Sequence, residues 1–193
     1  MLEKPFTTEF TQFMHDKIID NIKQTAEYDM EAHFRECLFP FVADIYSRIL
    51  SEFYLENNPA MKDFVHTFSK RTMNYMFNAF KYYFNIPLIY NYIEEGIQSK
   101  GKSIKEVSTK RLLEYLDKYT SGLVNMYVFE VILFISNTVY ESLYTILICE
   151  LNSSDFELVA NTIAPIINDF IPTLQETTKG ALTNAFITEQ VVR

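Results

Sequence analysis

Glycine, cysteine and histidine are scarce in this sequence, and tryptophan is absent. The 193 residues include 4 glycines, 2 cysteines and 3 histidines. So few glycines disfavour folds with many tight β-turns and leave little material for a glycine-rich phosphate loop. Two cysteines do not supply a disulfide framework, so we expect a reducing compartment and a cytoplasmic location. Because no metal-binding motif accompanies the three histidines, we expect neither a metal nor another cofactor.

Basic residues are missing from a long part of the chain. No Lys or Arg occurs between Lys118 and Lys179, although that interval holds seven carboxylates. The segment 100–118, which precedes it, carries six basic residues. The formal net charge is −8, which makes electrostatic binding to phosphate backbones unfavourable, so we expect no nucleic-acid partner.

Apolar and aromatic residues are plentiful. Hydrophobic residues make up 48% of the chain, which contains 17 Phe and 13 Tyr. A chain of this length buries about 70% of its unfolded surface as one domain, so a second domain is not required. The first ten residues contain no apolar run, and we therefore expect no secretory signal.

Apolar residues follow a helical spacing along the chain, and no pair of strands is predicted. We predict a single all-α domain over residues 1–193, built as a bundle of about eight helices wrapped around a central apolar helix at about 123–150. The predicted helices span residues 6–25, 28–57, 58–84, 86–101, 103–119, 123–151, 154–170 and 172–186. Pro40 is expected to kink or break the second of these helices and Pro165 to kink the seventh, and the tail is expected to fray from about residue 187.

Local signals mark several of the predicted helix starts. Asn58-Pro59 places a capping side chain before a proline that the first helical turn tolerates. Capping boxes occur at Ser103–Glu106 and at Ser154–Glu157. The helix after Pro59 is the clearest amphipathic helix in the chain, and phenylalanines on its second face indicate that it is enclosed from two sides.

The apolar run from Leu123 to Leu151 carries one narrow polar seam, formed by Glu130, Asn137 and Glu141. At 100° per residue these three side chains fall within about 40° of one another. Acidic residues are costly at mid-bilayer and no Lys/Arg cluster flanks the run, so we expect no membrane span. Two interpretations stay open: the seam reaches solvent or bonds to neighbouring helices, or it lines a pocket or interface. In a desolvated pocket the pKa of Glu130 would be raised, which would make it a proton-linked switch.

Tyrosines concentrate in the middle of the chain, and buried tyrosine hydroxyls need polar partners or a cavity. We combine four of them with the seam as a candidate ligand-binding site. Its residues are Tyr83, Tyr115, Tyr119, Tyr127, Glu130, Asn137 and Glu141. An aromatic core without any ligand is the alternative interpretation of the same pattern.

Catalytic chemistry has few candidates. Asp63 and His66 share a helix face at a spacing that occurs in metal-carboxylate bundles, but no second pair of this kind is present. We expect the histidines to lie on helix surfaces, and we find no Cys with a plausible His partner. An enzyme on this chain would have to use Asp63, His66, Glu130 and Glu141.

The run SGLVNMYVFEVILF, which starts at Ser121, resembles the BH1 motif of the Bcl-2 family. The likeness covers some twenty of the 193 residues. Where that family has Trp-Gly-Arg after the Asn, this chain has Met126, Tyr127 and Val128, so the groove-forming Arg is absent. The resemblance implies a groove for an amphipathic helix, but it does not identify the family.

Together these observations predict a non-catalytic regulatory or sensor module. It would bind an apolar small molecule, such as an acyl chain, or a partner protein between its helices. One alternative is a Bcl-2-like interaction protein that offers a groove to an amphipathic helix, and a second is a helical-bundle enzyme. Helical regulators commonly pair through a helix face, so a homodimer is also expected.

Overall fold

A computed structural model describes the backbone of residues 8–53, 59–151 and 156–193 and most of their side chains, those of 142–151 excepted. These residues form six α-helices and one 3₁₀ helix, without any strand. The elements are α1 (Thr8–Glu52), α2 (Pro59–Tyr83), α3 (Ile86–Gln98), the 3₁₀ helix (Ile104–Glu106), α4 (Thr109–Leu151), α5 (Phe156–Asn168) and α6 (Ile171–Val192). The predicted all-α class is confirmed, whereas the prediction of about eight helices was wrong, because four long helices and two short ones take their place.

The α1 helix merges two predicted helices and runs for 45 residues through Pro40. Between Thr25 and Pro40 the sequence holds neither Gly nor Pro, so no residue ends the helix in that interval. Leu38 and Val42, on either side of the proline, are fully buried, and this packing offsets the one backbone hydrogen bond that proline removes. The α5 helix likewise continues through Pro165.

The α4 helix also merges two predicted helices, because Gly122 does not interrupt it. It is 43 residues long and includes both the segment 109–119 and the apolar run that follows. A glycine inside a helix costs about 1 kcal/mol relative to alanine. Leu116, Val124 and Tyr127 are buried on either side of Gly122, so tertiary packing outweighs this local penalty.

Two helix caps explain how the middle of the chain turns. The capping box at Ser103 is confirmed, although it caps the 3₁₀ helix rather than α4. Its Ser103 N–H donates to Glu106 Oε2 at 3.2 Å. Asn85 caps α3, because its Oδ1 accepts a hydrogen bond from the Leu88 N–H at 3.1 Å. The second predicted capping box, at 154–157, lies partly outside the described residues.

The α2 helix begins at the predicted proline and is enclosed from two sides, as expected. Met76 and Ala79 are buried on one face, and Phe77 and Phe80 on the other. Both α2 and α6 contact α1 and α4, so the core lies among these four long helices. Phe80 is central to it, since its ring centroid lies 5.1 Å from that of Phe34 on α1.

The α6 helix continues past Phe186, so the predicted end at that residue was wrong, and the tail that was expected to fray is helical. Arg193 explains this difference. Its Nε donates to Glu189 Oε1 at 2.8 Å, and its Nη1 donates to Asn91 of α3. The guanidinium also lies 4.7 Å from the centroid of the Tyr90 ring. These contacts join the end of α6 to α3.

One helical segment of the described chain, 109–141, is long and apolar enough to cross a membrane, a test that the core helix of a globular protein also passes. Here α4 contacts α2, α3, α5 and α6, as expected of a central helix. The predicted wrapping is nevertheless incomplete, because Met126, Phe129 and Leu133 are exposed on one side of it.

Candidate functional site

A cavity of about 630 Å³ opens between α1, α6 and the corner at which α2 meets α3, and we call it the α1–α6 cavity. One face of α1 and one face of α6 form its walls. Three alanines leave the space between these walls: Ala26 on α1, and Ala181 and Ala185 on α6. Interiors are otherwise close-packed, so short side chains on facing helices are a sufficient cause of the opening. The volume falls in the range of about 300–1,000 Å³ that small-molecule sites occupy.

The floor of the α1–α6 cavity is apolar and deeply buried. Phe80 and Phe84 are almost inaccessible to solvent, and their ring centroids lie 4.8 Å apart. The apolar lining comprises Ala26, Met30, Phe80, Phe84, Ile86, Pro87, Ala181 and Ala185. Because the phenylalanines are held by the surrounding core, the floor is preformed.

The rim of the cavity is polar and carries charges of both signs. Lys81 Nζ lies 3.0 Å from Glu27 Oε1, so an ion pair joins α2 to α1 beside the opening. Glu189 is largely buried and is paired with Arg193. The polar lining comprises Lys23, Glu27, Asp29, His33, Lys81, Asn85, Asn184, Thr188 and Glu189. An apolar floor below a polar rim suits a ligand with one apolar and one polar part.

A Cys–His contact beside this cavity escaped the sequence analysis. Cys37 Sγ and His33 Nδ1 lie 3.4 Å apart, and the half-buried His33 lines the cavity. The expectation that no Cys has a plausible His partner was therefore wrong. The available signal was the i,i+4 spacing, which places both side chains on one face of a helix.

The structure brings three of the seven predicted ligand-binding residues together, at a place that we call the Glu130 cluster. The Glu130 carboxylate accepts one hydrogen bond at each oxygen, from Tyr75 Oη at 2.6 Å and from Tyr83 Oη. The Tyr83 ring centroid lies 6.1 Å from that of Tyr127. The buried Tyr127 hydroxyl donates to the Met76 carbonyl at 2.9 Å. At this point the polar seam of α4 is hydrogen-bonded by the neighbouring α2 helix.

Hydrogen bonding lowers the pKa of Glu130 below its usual value of 4.5, since two phenol donors stabilise the carboxylate more than partial burial destabilises it. Burial and the bond to Glu130 raise the pKa of Tyr75 to about 12. The hydrogen bond that Tyr83 itself donates to Glu130 is the main cause of the raised pKa of Tyr83. The pocket interpretation predicted a raised pKa for a desolvated Glu130, and the direction is the opposite because this carboxylate is partly exposed and doubly bonded.

The other four predicted ligand-binding residues lie apart from the Glu130 cluster. Tyr115 and Tyr119 stack on the first part of α4 with ring centroids 6.5 Å apart. A hydrogen bond from Lys100 is the main cause of the lowered pKa of Tyr115. Asn137 and Glu141 are exposed farther along the helix. The residues that line the α1–α6 cavity include none of the seven.

Within the described part of the chain, no group of three or more His, Cys, Asp or Glu side chains could hold a metal ion. Asp63 and His66 are exposed near the start of α2, as expected for His66, whose ring meets that of Phe39 with centroids 6.1 Å apart. Glu130 instead bonds tyrosines farther along α2, and Glu141 is exposed on α4. The four enzyme candidates are therefore spread over two helices rather than assembled around one pocket.

Comparison with known proteins gives no relative, since no family model, curated protein or solved structure matches this chain. Inference about function therefore depends on the geometry of the chain itself.

Proposed function

We propose that this chain is a non-catalytic regulatory or sensor module that binds an apolar small molecule, such as an acyl chain, in the α1–α6 cavity. The observation that supports the proposal is the cavity itself, with its volume of about 630 Å³, its buried aromatic floor and its polar rim. Small-molecule sites in proteins are mostly apolar and carry a few polar groups that orient the ligand. The proposal therefore assigns ligand binding to the residues that line this cavity and not to those of the Glu130 cluster.

The floor supplies the apolar contacts that such a ligand requires. An acyl chain would lie against Phe80, Phe84 and Met30, and each methylene removed from water contributes about 0.8 kcal/mol. The thioether of Met30 adapts to chains of different shape, because methionine is unbranched and polarizable. The floor offers no charged group, so affinity would grow with the length of the buried chain.

The rim supplies a site for a polar head. Lys23 and Lys81 both line the opening, and Lys81 is already paired with Glu27. Lys23 is therefore the rim cation with which a carboxylate head would pair. Because the rim is exposed to water, this contact would orient the ligand and contribute about 1 kcal/mol or less to binding.

Occupation of the cavity would tie together α1, α6 and the corner between α2 and α3, since all of them contribute lining residues. A ligand that binds the folded chain raises the free energy of unfolding by about 2.7 kcal/mol when its concentration is 100 times its dissociation constant. A sensor role follows from this linkage, because the ligand concentration would then determine the free energy of unfolding of the helices that line the cavity.

Binding of a fluorescent fatty acid to the delipidated protein tests the proposal. Ala185→Trp fills the space between α6 and α1, and we expect it to weaken binding by about tenfold or more. Ala164→Trp is the matched control, since Ala164 is exposed on α5 and is not among the cavity residues. Absence of saturable binding, or equal binding by both variants, would contradict the proposal. Native mass spectrometry of the purified chain should show co-purified acyl chains.

A further inference from the structure

The outward side of α4 carries an apolar stripe that the described helices leave exposed. Met126, Phe129 and Leu133 are 58%, 69% and 48% exposed, and Tyr119 is 38% exposed. Together with Gly122, these residues recur at alternating spacings of three and four along the chain. At 100° per residue around the helix axis, all five lie within about 80° of one another. We call these five residues the α4 ridge. Contiguous exposed apolar residues of this kind are typical of interaction sites.

Contacts on both sides show that the α4 ridge faces outward. On one side, Glu130 is bonded to Tyr75 and Tyr83 of α2. On the other side, Asn125 Oδ1 accepts a hydrogen bond from Gln175 Nε2 of α6 at 3.4 Å. The ridge therefore projects between α2 and α6 as a convex strip, which is a shape that packs against another helix.

We propose that the α4 ridge binds the α4 ridge of a second copy of this chain, in antiparallel orientation around a two-fold axis near Met126. Apolar residues at alternating spacings of three and four are the pattern by which two helices pack side by side. With the axis at Met126, Tyr119 lies at the level of Leu133 of the second copy. Phe129 then lies beside Gly122 of the second copy. The inference concerns a different surface from the α1–α6 cavity and does not depend on it.

Gly122 supports this arrangement. A Cβ built at Gly122 meets no atom within 4 Å, so the packing of the single chain does not require a glycine there. Glycine in a helix interior nevertheless costs about 1 kcal/mol relative to alanine. A ring such as Phe129 of a second copy could approach the backbone closely at this point, which gives the glycine a structural use.

The charges along α4 favour an antiparallel pair over a parallel one. Arg111 and Lys118 are exposed at the start of the ridge, whereas Glu130 and Glu141 flank its other end. In the antiparallel pair the basic end of each copy lies along the acidic end of the other, and Arg111 reaches the level of Glu141 of the second copy. In a parallel pair, like charges would meet. Glu114, which is also exposed at the basic end, lies farther round the helix from the ridge than Arg111 or Lys118.

A second copy suits the ridge better than a lipid surface does. The carboxylates of Glu130 and Glu141 lie beside the apolar strip, and anionic headgroups repel them. An occupant with its own basic segment next to an apolar strip complements this surface, and the chain itself has that composition.

Sedimentation velocity of the full chain over a range of concentrations tests the dimer. We expect a reversible dimer with a micromolar dissociation constant, and Phe129→Lys should weaken association by about tenfold or more. Val191→Lys is the matched control, because Val191 is 72% exposed on α6, away from the ridge, and it should leave association unchanged. Circular dichroism of each variant checks that the helix content is preserved.

Charge exchange tests the orientation. Arg111→Glu alone and Glu141→Arg alone should each weaken the dimer at low salt, and the two changes together should restore it; failure to restore would overturn the antiparallel arrangement.

A wild-type chain that is monomeric at about 100 μM, or a dimer that Phe129→Lys leaves intact, would overturn the pairing itself. So would a monomer that binds phosphatidylcholine–phosphatidylserine vesicles and loses this binding through Phe129→Lys.

Discussion

Two regions of this molecule combine polar groups with aromatic rings, yet one is filled and the other is open. In the Glu130 cluster, the side chains of Tyr75, Tyr83 and Tyr127 occupy the space between α2 and α4. In the α1–α6 cavity, three alanines leave space above an aromatic floor. The size of the side chains that face one another therefore determines where a ligand has room, and aromatic density does not.

The polar groups of the two regions also differ: those of the Glu130 cluster bond to one another, and several of those at the cavity rim are exposed to solvent. Both oxygens of Glu130 accept a hydrogen bond from a tyrosine, so a ligand would have to compete with partners that are already in place. At the cavity rim, Lys23 and Asp29 are exposed at the opening. The first region is a structural tether between two helices, and the second has the features of a binding site.

Phe80 belongs to both regions, and its truncation should have the largest effect. Its ring lines the cavity and lies 6.1 Å, centroid to centroid, from Tyr127 of the Glu130 cluster. Phe80→Ala should lower the free energy of unfolding by about 3–5 kcal/mol, because it removes a fully buried ring and leaves a void. Urea denaturation measures the change. Tyr82→Ala, at an 84% exposed position on the same helix, should change stability by less than about 0.5 kcal/mol.

Glu130→Gln should have the next largest effect and should separate the two regions. The amide keeps one acceptor oxygen, so one of the two tyrosine hydroxyls loses its acceptor, and we expect a loss of about 1–2 kcal/mol of stability. Glu95→Gln, at an exposed position on α3, is the control and should have little effect. Fatty-acid binding should be unchanged in both variants. A loss of binding through Glu130→Gln would place the ligand at the Glu130 cluster instead.

The lowered pKa of Glu130 predicts how the stability difference between wild type and Glu130→Gln depends on pH. Its ionised form is favoured in the folded chain, so its contribution is fully present above the unfolded value of about 4.5 and is lost as the pH falls through the lower, folded value. The stability difference between wild type and Glu130→Gln should therefore be constant from about pH 6 to 8 and shrink below about pH 4.5. A stability difference that changes near neutral pH would instead support the hypothesis that Glu130 is a proton-linked switch.

The Glu27–Lys81 ion pair should give the smallest effect. Its two side chains are 54% and 45% exposed, so water screens their attraction, and a double-mutant cycle with Glu27→Gln and Lys81→Met should give a coupling energy of about 0.2–1 kcal/mol. The coupling should decrease as salt is added. A salt-independent value above this range would mean that the rim of the cavity is more rigid than its exposure indicates.

The helical class and several helix starts could be predicted, because they depend on residues close together in the sequence. Apolar spacing located α2, and the side chains of Asn85 and Ser103 cap the chain where local chemistry indicates. The predicted interruptions of the helix after Thr25 and at Gly122 were both wrong, for the same physical reason. A glycine or proline, or a local gap in a pattern, costs about 1–3 kcal/mol, whereas the buried faces of long helices stabilise more than that.

The cavity could not be predicted in the same way, because it depends on which helices meet. Ala26 and Ala185 are far apart in the sequence, and no periodic signal links them. The partners of Glu130 likewise come from another helix, at Tyr75 and Tyr83, so the polar seam could be predicted but the direction of the pKa shift of Glu130 could not. Only the contact of Cys37 with His33 had a local signal, their i,i+4 spacing.

That contact gives the molecule a built-in chemical reporter. The rate at which a thiol reacts with an alkylating reagent depends on how easily the reagent reaches it and on the groups around it. Cys37 lies one helical turn from His33, and His33 forms part of the cavity rim. A ligand that touched His33 would therefore change the surroundings of the thiol. With Cys149 replaced by serine, the alkylation rate of this one thiol would follow occupation of the cavity without any attached dye.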